Sequence, residues 1–401
     1  MAGHDIGSGG LITTLLEMCF ADNNLSAELD LTSIGESDII KLLFSENIGV
    51  VLQSKDSSIE KVLAENGIAF NKIGSVSEGS ILHIKNNGVE IGLNIESLRD
   101  TWFKTSYLLD NKQTANGLAK NRYDNYKHQA LMYDFPKDFT GKLPVASTSF
   151  NSAQEPPLSH RPKAAILREK GSNSEREMAN AMYLAGFDVK DVHMTDLITG
   201  RETLEDIQFI GAVGGFSNSD VLGSAKGWAG AFLYNEKANS ALKKFFERED
   251  TLSVGICNGC QLFLELDLIN PEHKQLSKMH RNDSHKHESA FTSVKIQENN
   301  SVMLSNLAGT TLGVWISHGE GKFSFPYEEN RYNIVGKYSY EGYPANPNGS
   351  HYNAAALTDS SGRHLVMMPH MERSTFQWNW AHYPEGRKDE VSPWLEAFIN
   401  A

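Results

Sequence analysis

Cys257 stands in Gly255-Ile256-Cys257-Asn258-Gly259, a G-x-C-x-G pattern. It follows the apolar run Thr251–Ile256, which reads as a short strand, and precedes Gln261–Leu268, which reads as the start of an amphipathic helix. Strand, sharp turn and helix around one reactive residue have the form of a nucleophile elbow, with sulfur in place of the serine oxygen. Glycine on either side lets the backbone fold tightly against its neighbours. A thiol placed there faces a helix N-terminus, whose dipole favours the thiolate. A nucleophile needs a base, and Met367-Met368-Pro369-His370-Met371-Glu372-Arg373 offers one. In an extended segment His370 and Glu372 point the same way. Glu372 would then hold the imidazole in one tautomer while His370 takes the thiol proton. Each part has a plainer reading: a lone cysteine before a helix is usually a small core residue, and His-x-Glu occurs on many surface strands.

The elements around these residues argue for the chemical reading. From Lys163 the chain alternates strand and helix: Lys163–Arg168 a strand, a helix with Met178, Ala181, Met182 and Ala185 inward, Phe187–Met194 a strand, Phe209–Val213 a strand. Ser174-Glu175-Arg176-Glu177 reads as a capping box for the first helix and Gly186 as its end. Helical segments follow from Trp228 and over Glu236–Glu247. This rhythm predicts a mostly parallel sheet covered on both faces, with its site at the carboxyl ends of the strands. Cys257, Gly214-Gly215 and His370 all fall at such ends.

The first third reads as a smaller mixed α/β domain. Leu11–Phe20, Asp38–Phe44, Ser57–Asn66 and Leu98–Leu109 are expected helices, and Ile48–Gln53 a strand. Ile81–Asn94 is a hairpin turning on Asn86-Asn87-Gly88. Glycines 7, 9 and 10 lie before the first helix and could cradle a phosphate or simply make a tight turn. Residues Lys112 to Phe139, with Tyr123, Tyr126 and Tyr133, read as packing segments. Gly141–Pro162, with four prolines among small polar residues, reads as a linker crossed by few long-range contacts.

VGICNGCQ, GAVGGFSNSDVLGSAKGWA (Gly211–Ala229), VWISHGEGKF (Val314–Phe323), NPNGS (Asn346–Ser350) and MMPHMER together resemble the glutaminase domain of class I glutamine amidotransferases. The wording is similar to the large, fused phosphoribosylformylglycinamidine synthase family of purine biosynthesis. The resemblance implies a C-terminal three-layer α/β/α, flavodoxin-like glutaminase over 163–401 and a linker over 141–162. It implies that residues 1–140 are the C-terminal part of a synthetase-like domain of the aminoimidazole ribonucleotide synthetase type. The implied triad is Cys257, His370 and Glu372. Gly214, Gly215, Phe216 and the Asn258 N–H would form the oxyanion site, and Gln261, Ser317, His318 and Gly319 would line the glutamine pocket. The loop with Arg281 and Asn282 is placed near it. Glutamine would be the ammonia donor. Formylglycinamide ribonucleotide, ATP and magnesium would belong to the full synthetase reaction, whose sites are expected to be largely missing here, with the rest of the synthetase module as partner. The start at His4-Asp5 within what resembles a domain interior suggests a truncated chain. Two features depart from the family: Met371 stands where proline is usual, and Asn218-Ser219 where Tyr-Gly is common. A gamma-glutamyl hydrolase type of cysteine hydrolase and a non-catalytic amidotransferase-like module remain open as alternatives.

A net charge of −13 argues against nucleic acid or an anionic membrane as principal partner. Cys19, Cys257 and Cys260 form no spaced framework, which suits a reducing cytoplasm. No run approaches the length of a membrane span. His280, His285 and His287 crowd one segment with Asp283 and Glu288, but their spacing matches no metal-ligand pattern, so a solvated loop is expected and no metal. Cys260 is expected inside the core and His382 in a structural role.

Overall fold

The computed structural model describes residues 2–21, 24–127, 131–144, 161–340 and 342–401. The chain divides into two compact units, one of Met1–Gln113 with Tyr123–His128, the other of Thr114–Arg122 with Gln129–Ala401.

In the first unit, β1 (Ala2–Asp5) pairs antiparallel with β3 (Val50–Gln53). A second sheet runs in the order β4 (Gly74–Glu78), β2 (Leu25–Asp30), β5 (Ile81–Asn86), β6 (Val89–Asn94). The expected hairpin is β5–β6, with Asn87 and Gly88 both at positive φ, as a two-residue primed turn requires. Helices α1 (Gly10–Cys19), α2 (Ile39–Phe44), α3 (Ser58–Glu65) and α4 (Ile95–Gln113) complete the unit. Leu11, Leu15, Leu31, Leu82 and Ile84 lie in its core. The glycine run is a turn: a side chain on Gly10 would strike the Leu43 carbonyl, and the Gly9 N–H donates to the Glu46 carboxylate at 2.8 Å. Tyr123 and Tyr126 stack around Phe103 as packing groups.

α5 (Leu118–Asn125) crosses the division, its residues through Arg122 grouping with the second unit. That unit is built on a nine-stranded sheet. Its elements are β7 (Lys163–Arg168), α6 (Glu175–Leu184), β8 (Asp188–His193), α7 (Met194–Thr199), β9 (Phe209–Ala212), α8 (Lys226–Leu233) and α9 (Glu236–Glu247), followed by β10 (Leu252–Ile256) and α10 (Asn258–Glu265). β11 (Lys278–His280) and β14 (Lys322–Ser324) form a separate ribbon. β12 (Glu288–Ile296), β13 (Thr311–His318), β15 (Asn333–Tyr338), β16 (Ala354–Thr358) and β17 (His364–Met367) join the large sheet, and α11 (Trp394–Ile399) closes the chain. The strand order is β13-β12-β15-β16-β17-β10-β9-β7-β8.

From β17 to β8 every pairing is parallel, and from β13 to β17 every pairing is antiparallel. The strand-helix rhythm up to Cys257 predicts the parallel half; the antiparallel half has no such signature. β9, β16 and β17 are buried at every residue, because helices cover the sheet. Those helices pack in two groups, α7 to α10 on one another and α6 on α11.

Two local expectations give way. Ser174 is left-handed (φ 68°) and its hydroxyl caps nothing, so α6 begins without the expected capping box. The described start of the linker is not free: Gly141 accepts from the Glu390 N–H at 2.7 Å, and the Leu143 N–H donates to the Glu390 carboxylate. Residues 145–160 of that segment lie outside the described residues. No helix among the described residues is long and apolar enough to cross a membrane.

The elbow rests on two glycines. A Cβ on Gly255 would lie 2.6 Å from the Gly259 carbonyl, and one on Gly259 would overlap the Ala212 carbonyl. Both obstacles are backbone, so neither can swing aside. Gly259→Ala is expected to destabilise the protein by about 3 kcal/mol or more, read from the denaturant midpoint; a loss under about 1 kcal/mol would show that α10 does not approach β9 this closely.

Candidate active site

β9, β10 and β17 are neighbours in the sheet and end side by side. Gly255 pairs with Ala212 on one flank and Val366 on the other, and Ile256 pairs with Met367. The next residues of these strands therefore emerge together. The Cys257 N–H donates to the Met367 carbonyl at 2.9 Å, which fixes the nucleophile in register with the strand leading to His370. Cys257 has φ 51°, a conformation that costs a non-glycine residue about 1–3 kcal/mol. Gly214 lies between the two reactive side chains, since a Cβ there would come 2.8 Å from His370 Cε1 and 3.3 Å from Cys257 Cβ.

His370 Nδ1 and Glu372 Oε1 are 2.7 Å apart, and both side chains are buried. They do not meet as alternate residues of an extended segment. Met371–Arg373 is a 3-10 turn, and it is the turn that folds the carboxylate back onto the ring. Met371, where the family usually has proline, is fully buried and anchors the turn by packing. The His370 N–H donates to the Trp315 carbonyl at 2.8 Å, which sets the turn against β13.

Burial opposes charge on His370, but the Glu372 carboxylate and the hydrogen-bonding contact with Cys257 outweigh it and push its pKa up to about 10. His318 shows the opposite outcome. It is equally enclosed, neither ring nitrogen has a hydrogen-bond partner among the described residues, and burial together with the charges of His370 and His287 drives it down to about 3. One imidazole is held as a cation and the other neutral. Cys257 is 5% exposed and belongs to the apolar core, while its thiol lies 3.7 Å from the Ser317 carbonyl and contacts His370. Cys260 is wholly buried and its thiol is pushed well up by burial, so it packs as expected.

The Asn258 backbone and the Gly214-Gly215-Phe216 turn adjoin this thiol. Asn258 opens α10, where the first N–H groups have no partner within the helix. In the Gly214-Gly215-Phe216 turn the Phe216 N–H is committed to the Gly171 carbonyl at 3.0 Å, and the Gly214 carbonyl accepts from Asn173. The Gly215 N–H carries no such bond. Gly215 itself has φ 115° and sits against Ser172 and Asn173, so no side chain fits there.

A ring of hydrogen bonds ties this turn to the elbow. The Asn258 side chain accepts from the Ser217 N–H and donates to Asp220 and Gln261, and Gln261 donates to the Glu320 carbonyl at 2.7 Å. Glu320 in turn accepts from the Ser224 N–H. Gln261 thus has its amide engaged in holding the ring. Burial raises the Asp220 pKa, and Glu320 adds to the effect. The far wall is Ser317, His318 and Gly319. Ser317 Oγ is 3.0 Å from His287 Nε2, the His318 carbonyl accepts from Asn282 Nδ2 at 2.8 Å, and the Gly319 carbonyl accepts from the Asn282 N–H. Asn282 is fully buried and also accepts from the Gly321 N–H. Asn348 and Ser350 of the NPNGS segment bind the Gly321 carbonyl from the other side.

The structure therefore brings Gly214, Gly215, Asn258, Ser317 and the Cys257–His370–Glu372 set together. It leaves the Phe216 ring half exposed, 6.0 Å from the His287 ring. The resemblance places Asn282 near the pocket, where it would help orient it, whereas His287 and Asp220 have no role in the sequence reading, because their partners lie far away in the chain. A cavity of about 410 Å³ opens behind the turn at Ser217, Asn218, Val221 and Leu222, and Cys257 does not line it. Among the described residues no group of three or more His, Cys, Asp or Glu side chains is arranged to hold a metal. His382 packs on Tyr133.

Asn218, Ser219 and Asp220 are consecutive left-handed residues. Where the family commonly has glycine, exposed Ser219 holds φ 56° at a steric cost that glycine does not bear. Ser219→Gly is expected to stabilise the protein by about 0.5–1 kcal/mol, read as a higher denaturant midpoint. A lower midpoint would show that the turn is not left-handed in solution.

Residues 161–401 match the family described as the CobB/CobQ-like glutamine amidotransferase domain, and residues 1–85 match the AIR synthase related protein, C-terminal domain. Over its whole length the chain is 38% identical to an Arabidopsis thaliana protein named "Probable phosphoribosylformylglycinamidine synthase, chloroplastic/mitochondrial". It is 37% identical to a Caenorhabditis elegans protein named "Probable phosphoribosylformylglycinamidine synthase" and 35% identical to the Homo sapiens phosphoribosylformylglycinamidine synthase. It covers 30% of the first of these relatives and 32% of the other two, so it spans about a third of their length. With the family match extending over more than half of its residues, the chain belongs to the CobB/CobQ-like glutamine amidotransferase domain family.

Proposed function

We propose that this chain is the glutamine-hydrolysing part of a phosphoribosylformylglycinamidine synthase, supplying ammonia for the ATP-dependent conversion of formylglycinamide ribonucleotide to its amidine in purine biosynthesis. Residues 163–401 would be the glutaminase, 141–162 the linker, and 1–140 the C-terminal part of a synthetase-like domain. The observation that carries the reading is the convergence of Cys257, His370 and the Gly214–Gly215 turn at the ends of three adjacent strands, with Glu372 on the far side of the ring. A cytoplasmic site of action accords with three buried, unpaired cysteines.

In this reading the Cys257 thiolate attacks the side-chain amide carbon of glutamine. The oxyanion forms against the N–H groups of Asn258 and Gly215, each worth on the order of 3 kcal/mol in a preorganised site. His370, held protonated by Glu372, gives its proton to the departing ammonia. The same ring then takes a proton from the water that cleaves the thioester, releasing glutamate. Ser317, His318 and Gly319 form the wall along which glutamine lies. A neutral His318 suits that place, because a second cation beside His370 would oppose its protonation.

ATP and magnesium belong to the whole-protein reaction. No step here runs through either.

A chloroketone analogue of glutamine is expected to modify Cys257 and leave Cys19 and Cys260 unlabelled, and Cys257→Ala is expected to abolish glutamine hydrolysis. Peptide mass spectrometry and an ammonia assay decide both. Labelling at Cys260, or hydrolysis by the Ala variant, would overturn the assignment; cleavage of gamma-glutamyl peptides in preference to glutamine would favour the other cysteine hydrolase.

The His370–Glu372 pair also makes a prediction about pH. The folded pKa of His370 is raised above its ordinary value, so its contribution to stability is complete below about pH 6.5 and is lost as pH rises towards about 10. In Glu372→Gln the carboxylate that raises the ring's pKa is gone, burial is opposed by the Cys257 contact alone, and the pKa falls. The stability gap between the original chain and this variant should therefore shrink as pH rises over that window. Denaturant midpoints of both proteins across the window check it, and a constant gap would sink the ion-pair account.

A further inference from the structure

We propose that Arg122 is a positioning residue for the glutamine pocket, acting through Glu288 on the wall at Ser317–Gly319; the proposal rests on the glutaminase reading above. Arg122 lies outside the region that matches the glutaminase family, which begins at residue 161, yet it groups with the glutaminase unit. Its guanidinium Nη2 donates to Glu288 Oε2 at 3.0 Å and its plane covers the Tyr343 ring, 4.8 Å from the centroid. Tyr343 donates its hydroxyl to the other oxygen of the same carboxylate at 2.9 Å. Glu288 is buried, so its charge has been taken out of water and depends on these two partners.

Glu288 stands directly against the pocket wall. It opens β12 opposite His318, and the next pair is Ser289 with Ser317. The loop before it is held by the same short segment that carries Arg122. The Ala115 N–H donates to the Ser284 carbonyl at 2.9 Å, and Asn116 Nδ2 donates to the Asp283 carbonyl at 2.8 Å. Residues 282–288 are thus braced at both ends from 115–122. From their inner side Asn282 binds the His318 and Gly319 carbonyls and the Gly321 N–H, and His287 binds Ser317. A carbonyl of that wall, Ser317, is the one that contacts Cys257. Arg122, the 282–288 loop and the wall are linked by one ion pair, hydrogen bonds and the pairing of β12 with β13. Arg122 touches neither the nucleophile nor the position of the substrate, so its influence runs through the wall and falls on binding.

Arg122→Met keeps the stem and removes the charge and the planar donor. In the intact chain, KM for glutamine is expected to rise about tenfold or more while kcat stays within about twofold. Labelling of Cys257 by the glutamine chloroketone should slow in parallel, whereas labelling by iodoacetamide, which needs no pocket, should not. Arg122→Lys, which retains the ion pair without the stacked plane, should fall between the two. Tyr343→Phe deletes a single hydroxyl, should shift KM in the same direction, and serves if the Met variant does not fold. Amide exchange at Asn282 and Gly321 should speed up in either variant whether or not the chain turns over glutamine, which separates this proposal from the glutaminase reading. Unchanged exchange there, an unchanged KM, or an equal loss of chloroketone and iodoacetamide labelling would each overturn it. An unsubstituted chain that neither hydrolyses glutamine nor takes the chloroketone would overturn the reading beneath it.

Discussion

The close approach of α10 to the ends of β9 and β10 is the constraint on which the rest of the second unit depends. Gly255 and Gly259 leave no room for a side chain between the elbow and its neighbours, and Cys257 is turned to positive φ at the point of contact. Because Cys257 also donates its N–H to Met367, the nucleophile is fixed in the register of two strands at once. A slip of one residue in either pairing would send the thiol to the opposite face of the sheet, since side chains alternate with period two. The His370 turn could not then reach it. Local backbone strain at the cysteine is therefore tolerated because the surrounding ladder over-determines the conformation.

Electrostatics then separates two histidines that burial alone would treat alike. Both His370 and His318 are removed from water, and desolvation opposes the cation in each. Only His370 has a carboxylate within hydrogen-bonding distance, at 2.7 Å. That single partner decides which ring is charged. The asymmetry is self-reinforcing: a cation at His370 makes protonation of His318 still less favourable, and an uncharged His318 leaves the cation at His370 unopposed.

How much of this could be read from the residues depends on how local the governing interactions are. The elbow, the β5–β6 hairpin and most of the strand-helix alternation from β7 to α10 are set by neighbours within a few positions and stand near where their patterns place them. α10, however, begins at Asn258 and not at Gln261, and α7 has no place in the expected order. The failures share one cause. Ser174 has the composition of a helix cap but sits in a left-handed conformation beside the oxyanion turn, where tertiary packing overrides propensity. His370 and Glu372 have the spacing of an extended pair but meet through a turn whose middle residue, Met371, is drawn into the core. The antiparallel half announces itself only by short apolar runs, which do not reveal whether the partner is parallel. The ring joining Ser217, Asn258, Gln261 and Glu320 comes from three distant segments, so no periodicity records it.

The two halves of the sheet divide the work. Parallel strands bring Cys257, His370 and the Gly214–Gly215 turn together, because their carboxyl ends all open on one side. The antiparallel half supplies a wall, and a wall need only be rigid. Polar bonds add to its apolar packing: Asn282, Asn348 and Ser350 hold Gly321 from both sides, and Glu288 braces the strand beside His318. Buried polar groups of this kind specify one geometry only when every member is satisfied. Among the described residues two members lack partners: Asn348 at its Oδ1 and His318 at both ring nitrogens. Leaving His318 so costs stability, and it places an uncharged, unpaired ring beside the nucleophile's carbonyl neighbour. An apolar residue there would be cheaper to bury, so the histidine at this position is carried at a net cost to stability.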